Sequence, residues 1–296
     1  MRETLIKHGG YDAECVKAIT YNEQSKFNVS AGTLQVELRN LLAQVEPDDS
    51  ILFAFSGHGD VDSDGKAWLM PPDAKPGDAK LLKYTAIPVS EIYELLGATE
   101  ARQRLIILDA CHAGASRGDA AATKLSLSDI EPGKGFVELL SCDSDQLSYE
   151  NKELGNGVFS HFLIKGLAGD ADIAGNGDTA ITIDELFDYA YLNTTEFVED
   201  RYRKKQTPMK RMEVSGEFVV AVRTDLTKEL EDDELIVMLK QLADEKRVRP
   251  EFVKHAVRWL AADEAYPPRF KHCGTCLLYT SPSPRDQRGS RMPSSA

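Results

Sequence analysis

Leu105-Ile106-Ile107-Leu108-Asp109-Ala110-Cys111-His112-Ala113-Gly114 decides how the rest of the chain is read. Four large apolar residues in succession predict a strand buried on both faces, as in a parallel sheet covered by helices on each side. The run stops at a polar, small-residue segment that carries a cysteine out of the carboxyl end of the strand. Open α/β sheets place their ligands along that rim. An earlier stretch repeats the pattern, because Ile51-Leu52-Phe53-Ala54-Phe55 runs directly into Ser56-Gly57-His58-Gly59. Two neighbouring parallel strands would bring His58 and Cys111 to one rim, with the cysteine 53 residues after the histidine.

The chemistry such a pair can do follows from its side chains. A thiol near its free pKa of about 8.5 is only a few per cent thiolate at neutral pH, yet strongly nucleophilic. Imidazole exchanges protons near pH 7, which suits His58 to general acid–base work. Gly59 lets a bare backbone N–H approach a tetrahedral oxygen, and with the Cys111 N–H it would form an oxyanion hole.

Taken together, the Ser56-Gly57-His58-Gly59 and Asp109-Ala110-Cys111-His112-Ala113-Gly114 motifs resemble those of caspase-like cysteine peptidases, closest to metacaspases and their bacterial relatives. The Gln-Ala-Cys-x-Gly form of animal caspases is absent. The resemblance spans residues 1–222. It implies a caspase-like three-layer α/β/α fold with a mostly parallel sheet. It also implies a cysteine endopeptidase that acts on proteins or peptides after Arg or Lys. Asp109, two residues before the nucleophile, matches the acid that lines the family's pocket for the residue before the scissile bond. The alternative is that Asp109 only ends its strand and caps a turn. Folds of this kind begin with a strand ahead of the first helix, whereas Met1 here enters that helix (Arg2 to His8). The expectation is an amino-terminal truncation of the gene and a sheet with a gap in its middle.

Composition narrows the partners. A formal net charge of −13 argues against nucleic acid or an anionic membrane surface as a main partner. No apolar run approaches the ~20 residues of a membrane span, and the amino terminus does not read as a secretory signal. Five irregularly spaced cysteines point to a reducing compartment, the cytoplasm, with Cys15 as a core thiol. No cofactor or metal is expected. Asp60-Val61-Asp62-Ser63-Asp64-Gly65 opens like an EF-hand loop, but Pro71 stands where its bidentate Glu belongs, so a hairpin is predicted. The stretch from Asp170 to Glu185 fails the same test by two residues. Calcium activation through scattered aspartates, as in some metacaspases, stays open as an alternative.

The remaining segments supply the scaffold. A strand is predicted over 14–20, a helix over 31–45 capped by Asn28 or Ser30, and a second hairpin strand at Trp68–Asp73. A helix capped by Ser90 and stopped by Gly97 would make the crossover between the motif strands. Residues 115–135 lose all apolar periodicity and correspond to the family's self-processing loop, with Arg117, Lys124 and Lys134 as its basic residues. Next come a strand over 136–142 ending in Cys142, read as a thiol beside the cleft, and a helix over 159–167 opened by His161, read as a surface or packing histidine. A helix capped by Thr182 and a last strand over 217–222 follow. Residues 223–272 read as a charged helical extension or the start of a second module. Residues 276–296 back-translate to a transposase-type sequencing adapter and stand outside the fold reading. Two other function classes remain: a catalytically silent caspase-like binding module, and a transferase or ligase using the same acyl-enzyme.

Overall fold

The computed structural model describes residues 1–9, 11–21, 29–47, 49–75, 79–112, 135–143, 145–214, 216–223, 237, 240–241 and 275–280. In chain order the elements are α1 (Arg2–Lys7), β1 (Val16–Thr20), α2 (Ala31–Leu42), β2 (Ser50–Val61), β3 (Ala67–Met70), α3 (Ala79–Thr85), β4 (Ile87–Pro88), α4 (Val89–Gly97), β5 (Gln103–His112) and β6 (Phe136–Leu140). They continue with β7 (Glu150–Asn151), β8 (Asn156–Gly157), α5 (Val158–Lys165), α6 (Ala171–Ala174), β9 (Ala180–Thr182), α7 (Ile183–Tyr202), β10 (Met209–Met212), β11 (Val219–Val222) and β12 (Thr275–Thr280).

The main sheet runs β1-β12-β2-β5-β6-β10, with β3 and β4 attached at the end of β2. β1, β12, β2, β5 and β6 are parallel, and β10 is an antiparallel edge. Alternation along the strands divides the apolar residues between two cores. Phe53, Phe55, Ile106 and Leu108 pack with Leu34 and Leu38 of α2 and Ile92 and Leu96 of α4. Leu52, Leu105, Ile107, Val137 and Leu139 pack with Phe159 and Leu163 of α5 and Leu186 and Ala190 of α7. The result is the expected three-layer α/β/α architecture. Buried Arg104 fastens α4 to the sheet, because its guanidinium donates to the carbonyls of Leu96 (2.7 Å) and Thr99 at the end of that helix.

Several sequence expectations meet their elements directly. Ser30 caps α2 by accepting from the Thr33 N–H, and Thr182 with Glu185 closes a full capping box on α7. The Asp60–Gly65 segment is the β2–β3 hairpin turn, in which Asp62 accepts from the Trp68 indole (2.8 Å) and from two backbone amides.

Others differ. The N-cap of α4 is Pro88, with no side-chain bond, and Ser90 lies within the first turn. The fixed proline φ starts the helix before the serine can act. β11 pairs with β9 in a separate two-stranded sheet, so residues 217–222 do not close the main sheet. The strand that does, β10, carries the sequence Met-Lys-Arg-Met with no apolar alternation, because an edge needs none. The expected central gap between β1 and β2 is occupied by residues 275–280, parallel to both neighbours. Two facing parallel edges present unpaired backbone groups that an extended segment satisfies, and β12 does so here, so the sheet has no gap at this position. Cys15 is half-buried and disulfide-bonded where a core thiol is predicted. The predicted processing loop and helical extension lie outside the described residues, except for Gly135 of the former and a few positions of the latter.

Candidate active site

β2 and β5 pair in parallel from Ser50↔Gln103 through Gly59↔His112, and the motif residues fall at the carboxyl end of this ladder. Ser56 is the register partner of Asp109, His58 of Cys111 and Gly59 of His112. Adjacent strands lie about 4.8 Å apart, so register partners are immediate neighbours. On its other edge the end of β2 pairs with β3, His58 opposite Met70 and Gly59 opposite Leu69. The segment bearing His58 is thus held on both sides, while the imidazole itself is half-buried. A buried strand running into a polar rim, the pattern read from the sequence, places all four predicted site residues together along the backbone.

Asp109 is 5% exposed and has a more specific environment than its position at a strand end predicts. Its Oδ1 accepts from the Ser148 hydroxyl at 2.7 Å. Its Oδ2 accepts from the Ser160 amide at 3.2 Å and from the Ser160 hydroxyl. Ser160 is the third residue of α5, and the N-cap of that helix is Gly157, which has no side chain to offer. Asp109 therefore caps α5 from a neighbouring strand, satisfying one of its orphan amides and facing the positive end of its dipole. Glycine at 157 leaves room for this contact, since a Cβ would come within 2.4 Å of Asp109 Oδ2 and the carboxylate would have to shift.

Behind Ser148 stands Gln206, fully buried in the segment between α7 and β10. Its amide nitrogen donates to the Ser141 carbonyl (2.8 Å) and to the Ser148 hydroxyl (3.3 Å), and its oxygen accepts from the Tyr149 N–H (2.9 Å). Ser148, Ser160, Gly157 and Gln206 escape a sequence reading. In the sequence Gly157 and Ser160 show only as a Gly-x-x-Ser ahead of an apolar run.

The second strand-end cysteine is distinguished by its surroundings. Burial first, and then the charge of Asp109, push the Cys142 thiol up to about 12. Its Sγ faces the Gln146 carbonyl at 3.5 Å. A thiol held that high is protonated at neutral pH and a poor nucleophile. His161 packs edge-on against Phe162, with its pKa lowered by burial and by Lys165. Among the described residues there is no cluster of three or more His, Cys, Asp or Glu side chains arranged to hold a metal ion.

The family model of the caspase domain, peptidase C14, matches residues 1–219. The chain belongs to the caspase-domain family. Among solved structures it is similar to a caspase-1 from Spodoptera frugiperda, at 15% identity over 67% of this chain and 73% of that one, with a TM-score of 0.43. No curated protein matches. Caspase-domain proteins are cysteine peptidases acting on protein substrates. In this caspase domain the motif strands β2 and β5 lie side by side at the middle of the sheet. No helix among the described residues is long and apolar enough to cross a membrane.

Proposed function

We propose that this caspase domain is a cysteine endopeptidase that uses His58 and Cys111 and cleaves after Arg or Lys. The observation that carries the reading is the register pairing of His58 with Cys111 at the carboxyl ends of adjacent parallel strands in a chain of this family. The Cys111 thiolate attacks the scissile carbonyl carbon, and the oxyanion is received by the N–H groups of Gly59 and Cys111. Protonated His58 gives its proton to the leaving amine as the C–N bond breaks. The resulting thioester is hydrolysed by a water that His58 deprotonates, which returns the free thiol and releases the carboxylic acid product.

The basic preference is supported by the contrast between Asp109 and two other buried carboxylates, Glu138 and Asp172. Glu138 is paired with Arg211 and Asp172 with Arg223, whereas among the described residues the donors to Asp109 are two hydroxyls and an amide. A substrate guanidinium or ammonium would supply the missing cation through a charge-assisted hydrogen bond. Basic residues of the 115–135 loop are then candidate self-processing sites.

The test is hydrolysis of fluorogenic peptides ending in Arg, Lys or Asp, with and without calcium, by the parent chain and by Cys111→Ala and His58→Ala. Cleavage after Arg or Lys that is lost in both variants is expected, in either calcium condition. Cleavage after Asp would refute the pocket assignment and keep the His–Cys pair. Absence of any cleavage by the folded protein would favour a binding module, and a spliced product with an added amine would favour acyl transfer.

A further inference from the structure

We infer that Ser160 is a specificity-determining residue which limits Asp109 to a single contact with the substrate cation, so that the pocket does not favour Arg over Lys. This rests on the peptidase reading above. A carboxylate has about four acceptor positions, two on each oxygen. On Asp109 both positions of Oδ2 are taken, by the amide and the hydroxyl of Ser160, and one position of Oδ1 is taken by Ser148. Among the described residues no donor takes the fourth position, which lies on Oδ1.

The orientation of Ser148 is fixed by the same logic. The buried Gln206 amide can only donate to the Ser148 oxygen, so the one hydroxyl proton of Ser148 is directed to Asp109 Oδ1. Gln206 in turn is anchored by the Ser141 carbonyl and the Tyr149 amide, which pins the loop carrying Ser148 to the segment that follows α7. The carboxylate is thereby held from two sides, by the loop after β6 and by the first turn of α5.

The advantage of Arg over Lys at a carboxylate comes from its planar fork, which makes two parallel N–H···O bonds and needs both oxygens. With Oδ2 saturated, a guanidinium can make one bond and an ammonium can make the same one. Ser160 thus acts as a positioning residue: it touches Asp109 and never the substrate. Removing its hydroxyl frees one position on Oδ2 and opens the fork geometry.

The experiment measures kcat/KM on matched Arg and Lys peptides for the full chain and for Ser160→Ala, Ser160→Thr and Ser148→Ala, with thermal melts to confirm folding. The parent is expected to cleave both within about threefold, since each cation makes one charge-assisted bond. Ser160→Ala is expected to raise the Arg:Lys ratio about tenfold, the worth of one added bond to a charged group. Ser160→Thr, which keeps the hydroxyl, should restore the parent ratio, and this separates positioning from a general loss of structure. Ser148→Ala frees a second position on Oδ1 and leaves Oδ2 saturated, so it should lower kcat/KM on both peptides without changing the ratio. An unchanged ratio in active Ser160→Ala overturns the inference alone, as does a strong Arg preference in the parent. If Ser160→Ala does not fold, the parent ratio and the Ser148→Ala ratio still decide. Failure of the parent to cleave after either residue overturns the peptidase reading and this inference with it.

Discussion

Gly157→Ala tests whether Asp109 is locked to α5 as described. At φ −55° and ψ 144°, Gly157 has a backbone conformation open to alanine, so the substitution carries no backbone penalty. Through the unfolded chain alone it would stabilise by about 0.4–1 kcal/mol. Against this stands the added methyl, 2.4 Å from Oδ2, 3.1 Å from Cγ and 3.3 Å from Oδ1 of Asp109. The carboxylate is the end of a side chain and could swing away, but doing so gives up bonds from Ser148 and Ser160. Hydrogen bonds to charged groups are worth about 1.5–3 kcal/mol each, and overpacking typically costs about 1–3 kcal/mol.

The clash wins, with a net destabilisation of about 2–4 kcal/mol, or a fall in Tm of roughly 4–16 °C for a domain of this size. Urea and thermal unfolding followed by circular dichroism would measure it. Gly32→Ala is the opposite control, because a Cβ there meets nothing nearer than Ser30 Oγ at 3.9 Å, and a helical Gly→Ala gains about 0.5–1 kcal/mol. In a double-mutant cycle, Gly157→Ala should cost less in the Ser160→Ala background, where the carboxylate is freer to move. A Gly157→Ala variant within 0.5 kcal/mol of the parent, or strict additivity with Ser160→Ala, would refute the trans-capping argument.

Cys142 predicts an alkaline effect. Its folded pKa, about 12, stands above its ordinary value near 9, so the folded state keeps a proton that the unfolded state loses. That stability is complete below pH 9 and falls by about 1.4 kcal/mol per pH unit as pH rises from 9 towards 12. Unfolding curves across this range should flatten in Cys142→Ala, with Tyr189, also raised to about 12 by burial and Asp170, leaving a residual slope. Arg211→Ala leaves Glu138, which is fully buried, without its cation. Because the arginine is 29% exposed and water can enter, a loss of about 2–3 kcal/mol is expected, below the 3–5 of a fully enclosed pair, with part recovered by adding Glu138→Gln. Proline at Leu277 and Leu278 removes two strand amides from β12. Hydrogen exchange should then lose protection over Val16–Thr20 and part of Ile51–Ser56, and unchanged protection there would show that β12 does not hold β1 to β2.

The parts of this fold that could be read from sequence are those where local pattern and burial coincide. β2 and β5 are apolar runs buried on both faces, and α7 announces itself through Thr182 and Glu185. β10 could not be read, because an edge strand is specified by what lies beside it. Arg211 sits opposite Glu138, and neither residue alone suggests a strand. The candidate site divides in the same way. His58, Gly59 and Cys111 lie in motifs that a linear reading finds. Ser148, Ser160 and Gln206 reach Asp109 from 39 and 51 residues away, or through an intermediary, and only the folded topology joins them.

Asp109 shows why the two readings of one residue, cap or pocket acid, need not exclude each other. A carboxylate brought to 5% exposure must recover the hydrogen bonds that water gave it. The α5 terminus and two serines recover three of about four, which is enough to hold the group in the sheet and one short of saturation. Complete satisfaction would leave nothing to recognise a substrate, and fewer donors would leave the charge expensive to bury. Capping the helix is thus the means by which a buried acid can be kept beside Cys111 with one acceptor position to spare.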